Sequence, residues 1–203
     1  MDNSPNSLVL ATGNPGKTGE LKDLFRDVPL ELKSLRDFER IVDVEETGST
    51  FRENAKLKAR GFAMQTGQLS LADDSGLEIE ALGNAPGVHS ARFAGTAGYE
   101  VKIPKLLTML DETGDTVRRA RFVCVMALAS SDGRIVYNAK GICTGSIADS
   151  PRGNHGFGYD PIFVPDGFDL TFGELDDDVK RSISHRASAA ALIIRYLLDF
   201  IAV

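Results

Sequence analysis

Positive charge is in short supply in this sequence: 23 Lys and Arg face 29 Asp and Glu, for a formal net charge of −6. Binding to nucleic acid in general depends on neutralising many phosphates with Lys and Arg, so this balance argues against it. A small phosphorylated ligand stays open, provided basic groups or metal ions converge locally. Cysteine is scarce too. Cys124 lies inside one apolar run and Cys143 near the end of another, which gives neither a disulfide framework nor zinc-ligand spacing and reads as two reduced core thiols. His89 and His155 have no partner at ligand spacing and read as loop residues. No stretch is apolar enough to span a bilayer, because the last helical pattern, Ala187 to Val203, is interrupted by Arg195 and Asp199. Met1 to Pro5 has no basic segment leading into an apolar run, so no secretory signal is expected. Together these absences predict a cytoplasmic protein with no membrane or nucleic-acid partner.

What is present is enough for a globular core: 203 residues, 42% hydrophobic and 26% charged, which excludes a wholly disordered chain. No internal repeat interrupts it, and one domain over 1–203 is expected, with about residues 1–7 as a polar extension that frays as far as Asn6. Ser7 to Ala11 reads as a buried strand, followed by a helix with Leu21, Leu24 and Phe25 on one face. Thr50-Phe51-Arg52-Glu53 is a capping box that opens a second helix. Gln68 to Ala72 and Gly76 to Ala81 read as two strands flanking Asp73-Asp74-Ser75. Residues 81–98, rich in Gly, Ala and Pro, read as a long loop. A helix follows over Lys105 to Leu110, its start set by Pro104. Arg119 to Ala129 and Ile135 to Ile147, joined by Ser131-Asp132-Gly133, read as a hairpin. A glycine-rich loop runs from Gly153 to Pro161, a turn follows at Pro165-Asp166-Gly167, and Ser184 caps the last helix. The order predicts an α/β domain with a mixed sheet.

Four segments carry groups suited to chemistry. Gly13-Asn14-Pro15-Gly16-Lys17-Thr18 stands between a strand and a helix, where glycines admit a ligand, helix amides point outward and Lys17 adds a charge. It is a defective P-loop, with Ala11 where the first glycine would fall; an ordinary strand-to-helix turn accounts for it equally well. Asp73-Asp74-Ser75-Gly76 and Glu45-Glu46-Thr47-Gly48 are acidic pairs that fit Mg²⁺, a hard cation bound through a few carboxylates, water and phosphate oxygens; alone, the first also fits a turn and the second a solvated helix lead-in. Gly156-Phe157-Gly158-Tyr159-Asp160-Pro161 leaves ring faces beside glycines, with Asp160 able to accept a ring N–H. Lys180-Arg181-Ser182-Ile183-Ser184-His185-Arg186 gathers basic groups, which would otherwise balance the run Asp176-Asp177-Asp178.

In this order the segments Thr12 to Lys17, Glu45 to Gly48, Phe51 to Ala59, Ala72 to Leu77, Pro86 to Arg92, Gly156 to Pro161 and Ser184 to Arg186 resemble the inosine/xanthosine triphosphate pyrophosphatases, from about Leu8 to the last helix. The resemblance implies an elongated mixed β-sheet with flanking helices, two lobes around a central substrate cleft, and a homodimer. It implies hydrolysis of inosine, deoxyinosine or xanthosine triphosphate to the monophosphate and pyrophosphate, with Mg²⁺ as cofactor. Asp74 would be the catalytic acid–base residue and a metal contact, and Glu46 the second metal carboxylate. Thr12, Gly13, Asn14, Pro15, Gly16 and Lys17 would hold the triphosphate with Ser75 and Lys180. Phe157, Gly158, Tyr159, Asp160, His185 and Arg186 would surround the base. Asp73 is expected to matter less than Asp74, since neighbours on a strand point to opposite faces. The segment Tyr99 to Lys105, with Ile103-Pro104, departs from the family pattern in lacking a polar helix start. A P-loop-like NTPase or kinase, and a non-catalytic nucleotide-binding protein, are the competing readings.

Overall fold

The computed structural model describes residues 6–201; most of the expected N-terminal extension and the last two residues of the final helical pattern lie outside the described residues. The buried strand β1 (Ser7–Leu10) leads into helix α1 (Pro15–Phe25). Pro15 suits the first helical position, where a helix has no use for the missing N–H. Strand β2 (Glu31–Ser34) then pairs in parallel with β1, Leu32 opposite Leu8. Helix α2 (Phe51–Thr66) opens with the expected capping box. The Thr50 hydroxyl accepts from the Glu53 amide at 3.2 Å, and the Glu53 carboxylate accepts from the Thr50 amide at 3.1 Å.

Strand β3 (Ser70–Ile79) differs from expectation. In place of two strands around a turn there is one ten-residue strand, with Asp73, Asp74 and Ser75 in its interior. A turn assignment assumes that carboxylates seek water, whereas both aspartates here are buried beside cations. The loop expected over 81–98 contains the short strand β4 (Ala85–Pro86), antiparallel to β3. Helix α3 (Tyr99–Asp111) begins earlier than expected, with Pro104 inside it. Proline removes one helical hydrogen bond, to the carbonyl of Glu100, and both residues are exposed; Lys102, Ile103, Leu106, Leu107 and Leu110 form the buried face that holds the helix in place.

Strands β5 (Arg119–Ala129) and β6 (Ile135–Ile147) fall where the sequence puts them. They are followed by β7 (Phe163–Pro165), antiparallel to β6. The basic segment is divided between helix α4 (Asp177–Ile183) and α5 (His185–Ile201), with Ser184 in extended backbone between them. The seven strands form one sheet in the order β2-β1-β3-β5-β6-β7, with β4 on β3. Parallel β1 pairings and antiparallel β3–β4 and β6–β7 pairings make it mixed, as expected of this α/β chain.

The chain forms two compact units. The first contains residues 6–74, 124–141 and 186–201, and the second contains 75–123 and 142–185, so β3, β5 and β6 each contribute to both. Each has its own core. In the first, Leu8, Leu10, Leu71, Met126 and Leu128 pack with Leu21 and Phe25 of α1 and Ile193 and Leu197 of α5. In the second, Leu77, Ile79, Phe122, Phe163 and Phe172 pack with Ile103, Leu106 and Leu110. Among the described residues no helix is long and apolar enough to cross a membrane.

The capping box places α2, and with it the side chains α2 presents. Thr50→Ala removes the hydroxyl acceptor and is expected to cost about 1 kcal/mol of stability, read as a lower urea midpoint at unchanged slope. An unchanged midpoint would mean that the cap contributes nothing.

Candidate active site

The loop after β1 is built around Asn14. Its side-chain oxygen caps α1, accepting from the amides of Gly16 at 2.9 Å and Lys17 at 3.2 Å, while the Thr12 hydroxyl accepts from the Asn14 amide at 3.2 Å. Two amides that the sequence offers to a phosphate are thus engaged by Asn14. Gly13, Asn14 and Pro15 are exposed, and Lys17, in the first turn of α1, turns its ammonium inward.

That ammonium lies 3.0 Å from Asp73 Oδ2, and an Arg186 nitrogen lies 3.3 Å from the same oxygen. Arg186 also pairs with Glu20, one turn beyond Lys17 on α1. Burial alone would raise the Asp73 pKa; Lys17, Arg186 and then Lys58 outweigh it and hold the carboxyl well below its ordinary value. The Cys124 thiol, 3.9 Å from Asp73, is pushed up to about 12 by burial and by that charge, so it is an inert core thiol. Arg186 is a buried member of a Glu20–Arg186–Asp73–Lys17 chain, its guanidinium paired with carboxylates. Asp73 is the centre of that chain.

Asp74, the next residue on β3, has different partners. Asn54 Nδ2 donates to its Oδ2 at 3.2 Å, and Lys58 Nζ lies 3.4 Å from its Oδ1 and 2.7 Å from Glu46 Oε1. Asn54 also accepts from the Gly48 amide at 2.8 Å, which ties the Glu46 loop to α2. Gly48 leaves room for this, since a β-carbon there would stand 2.7 Å from Asn54 Oδ1. Burial raises the Asp74 pKa above its ordinary value and Glu46 adds to it, against the pull of Lys58, Lys17 and the Asn54 hydrogen bond. For Lys58, burial opposes the charge, but Asp74, Asp73 and Glu46 together leave its pKa raised. A carboxylate so shifted is suited to taking a proton. Two carboxylates converging on one ammonium also fit a divalent cation. Among the described residues no group of three or more His, Cys, Asp or Glu is gathered for a metal, so water and substrate oxygens would have to complete its shell. Ser75 follows on β3, half-buried.

In the second unit the glycine loop surrounds another ion pair. Asp160 Oδ2 accepts from Lys180 at 2.6 Å and from the Phe157 amide at 2.7 Å. Gly156 has φ +68°, and a β-carbon there would lie 2.1 Å from Asp160 Oδ2, so this position needs glycine. The Lys180 ammonium sits 5.1 Å from the centre of the Phe157 ring and 5.7 Å from that of Phe172. Lys180 is a buried partner of Asp160 beside aromatic rings. Tyr159 is buried and donates to the carbonyl of Ser90 at 3.2 Å. His185, also buried, stacks on Phe122 with ring centres 4.7 Å apart. Phe157 and Gly158 are half-buried.

Sequence reasoning assigned no role to Asn54, Lys58 or Glu20. Asn54 and Lys58 stand four apart, and such a pair shares one helix face; here it is the face that carries buried Phe51, Ala55, Ala59 and Phe62. That polar pair within an apolar stripe was the available signal. Glu20 offered none, because its partner is 166 residues away.

The sequence model of the Ham1 family matches residues 8–196. The chain is 46% identical over 195 residues to the dITP/XTP pyrophosphatase of Prochlorococcus marinus (strain NATL1A), covering 96% of this chain and 94% of that one. It is 48% identical over 183 residues to the dITP/XTP pyrophosphatase of Desulforamulus reducens, covering 90% of each. The structure is similar to that of a HAM1 protein from Coxiella burnetii, with TM-score 0.87, 43% identity, and 95% and 98% of the two chains covered.

Removing the Asp73 charge should unbalance two cations, buried Arg186 and half-buried Lys17. Asp73→Asn is expected to cost about 3–5 kcal/mol, the range for breaking a buried pair from one side. Because the folded pKa is depressed, the contribution is complete above the unfolded value, about 3.9, and is lost as pH falls toward the folded one. Urea denaturation should therefore show the full gap between wild type and variant at pH 7 and a narrowing gap below about pH 4. A gap that does not change with pH would assign the loss to packing.

Proposed function

The chain belongs to the Ham1 family, and on that footing we propose that it is a Mg²⁺-dependent pyrophosphatase of non-standard purine nucleoside triphosphates. Water attacks the α-phosphorus of inosine, deoxyinosine or xanthosine triphosphate, the bond to the oxygen shared with the β-phosphorus breaks, and monophosphate and pyrophosphate are released. The observation that carries this reading is the convergence of Asp74 and Glu46 on one cation, beside Lys17, with burial raising the Asp74 pKa.

In this proposal Asp74 orients the attacking water and takes its proton, and Asn54 holds the carboxylate in place through its other oxygen. Bound by Glu46 and Asp74, Mg²⁺ would supply Lewis-acid stabilisation of charge on the phosphate oxygens. Lys17 and the loop Thr12 to Gly16 receive phosphate oxygens, together with Ser75; Asp73 and Arg186 fix where the Lys17 charge stands. A triphosphate carries about four negative charges, so such positioned charge is what a leaving pyrophosphate demands.

Phe157 and Gly158 offer the half-buried ring face and clearance for a base, and Asp160, Lys180, Tyr159 and His185 hold the shape of that segment. Hypoxanthine and xanthine present an O6 acceptor and an N1–H donor, where adenine reverses both. A site matched to the first pattern leaves buried polar groups unpaired with adenine, and such mismatches reject by roughly 10⁴-fold. The resemblance supports a homodimer, and the unpaired thiols of Cys124 and Cys143 suit a cytoplasmic setting.

Incubation with inosine, xanthosine, adenosine and guanosine triphosphates and Mg²⁺ is expected to yield monophosphate and pyrophosphate, fastest with the first two. Diphosphate and orthophosphate would indicate a P-loop-like NTPase, and binding without turnover a nucleotide sensor. Asp74→Asn should lower kcat by about 10²–10⁴-fold, the usual loss for a positioned acid–base group. Its fold should survive, because a raised folded pKa means that ionised Asp74 opposes stability as pH rises. Near wild-type turnover by this variant would refute the role of Asp74. Phe157→Ala should weaken nucleotide binding by roughly 1–3 kcal/mol if the ring stacks on the base; a fall in thermal stability at unchanged affinity would make it a core residue.

A further inference from the structure

The motif Phe51 to Ala59 contributes Lys58, a residue that the reaction as described leaves without a task. Its ammonium is paired with both carboxylates assigned to the metal, 2.7 Å from Glu46 Oε1 and 3.4 Å from Asp74 Oδ1. The three side chains are shielded, 12% exposed for Lys58, 25% for Glu46 and 8% for Asp74. The surroundings hold them together. Asn54, one turn earlier on the same helix face, fixes the other oxygen of Asp74 and, through Gly48, the loop that carries Glu46. Both Asp74 oxygens therefore have a partner already, and a cation bound there would compete with Lys58 or Asn54 for their lone pairs. Asn54 is fully buried and anchored at two points, whereas Lys58 reaches the site on a flexible stem. Lys17 and Arg186 are tied instead to Asp73.

We propose that Lys58 is an internal counter-ion for the Glu46–Asp74 pair, and that a divalent cation binds by displacing its ammonium. The inference rests on the reading of Glu46 and Asp74 as metal carboxylates. Two positive charges cannot share the same two oxygens without strong repulsion, so the lysine sets the strength of metal binding when no phosphate is present to receive it. The same contact keeps two neighbouring carboxylates from repelling each other apart. Lys58 is thus a positioning residue whose removal strengthens metal binding, the opposite of what loss of a structural contact does.

Mn²⁺ binding to the nucleotide-free protein, followed by electron paramagnetic resonance, tests this in wild type, Lys58→Gln and Lys58→Arg. The glutamine variant is expected to bind Mn²⁺ at least about tenfold more tightly, within the usual span of coupling between two competing interactions. The arginine variant, which keeps the charge, should bind as weakly as wild type. Adding Glu46→Gln to Lys58→Gln should abolish the gain. Equal or weaker binding by Lys58→Gln overturns the role of Lys58 and leaves the metal site standing. Tighter binding that survives Glu46→Gln, or no binding by any of the proteins, overturns the two-carboxylate metal site itself. If Lys58→Gln fails to fold by circular dichroism, wild type decides. Labelling of Lys58 by an amine-reactive ester, read by mass spectrometry, should speed up in saturating Mg²⁺, and unchanged or slower labelling overturns displacement.

Discussion

Two adjacent carboxylates in the interior of one strand, Asp73 and Asp74, must each be met by positive charge or the strand cannot stay buried. The pleat makes this possible by sending neighbours to opposite faces. Asp73 meets Lys17 of α1 and Arg186 of α5, while Asp74 meets Asn54 and Lys58 of α2. Three helices are thus tied to one pair of residues. The cost of desolvating those charges sets the requirement, since a buried carboxylate without a cation is far more unfavourable than one that is paired.

The two pairings differ in kind. Asp73 is surrounded by cations that outweigh its burial, so it stays ionised and serves as a fixed charge. Asp74 is less well compensated, with Glu46 beside it, and its pKa rises. One strand thereby holds a permanent anion that positions Lys17 next to a carboxylate poised to accept a proton. In the second unit the Asp160–Lys180 pair applies the same rule in the glycine loop, where Gly156 supplies the clearance the pair needs.

Where the sequence reading diverged, it did so for a common reason. Asp73-Asp74-Ser75 reads as a turn because charged residues ordinarily seek solvent, and Pro104 reads as a helix start because proline ordinarily stands there. In both places distant contacts reversed the local preference: cations from three helices kept β3 continuous, and the buried face of α3 carried the helix through its proline. Arg186 and Lys180 were recognised as important, but the partners that engage them, Glu20 with Asp73 and Asp160, lie outside any local window.

The sequence by itself determined whatever local periodicity and ordered motifs encode: the mixed α/β class, the capping box of α2, the β5 and β6 strands, the family resemblance, and the Asp74 and Glu46 candidates. These signals act over a few residues or survive as an ordered series of short patterns, so a linear reading finds them. The tertiary structure alone decided which charges meet. Lys17 to Asp73, Asp73 to Arg186, and Lys58 to both Glu46 and Asp74 join positions far apart in sequence. A side chain's charge and pKa follow from its burial and its neighbours, and both exist only once the strands and helices have packed.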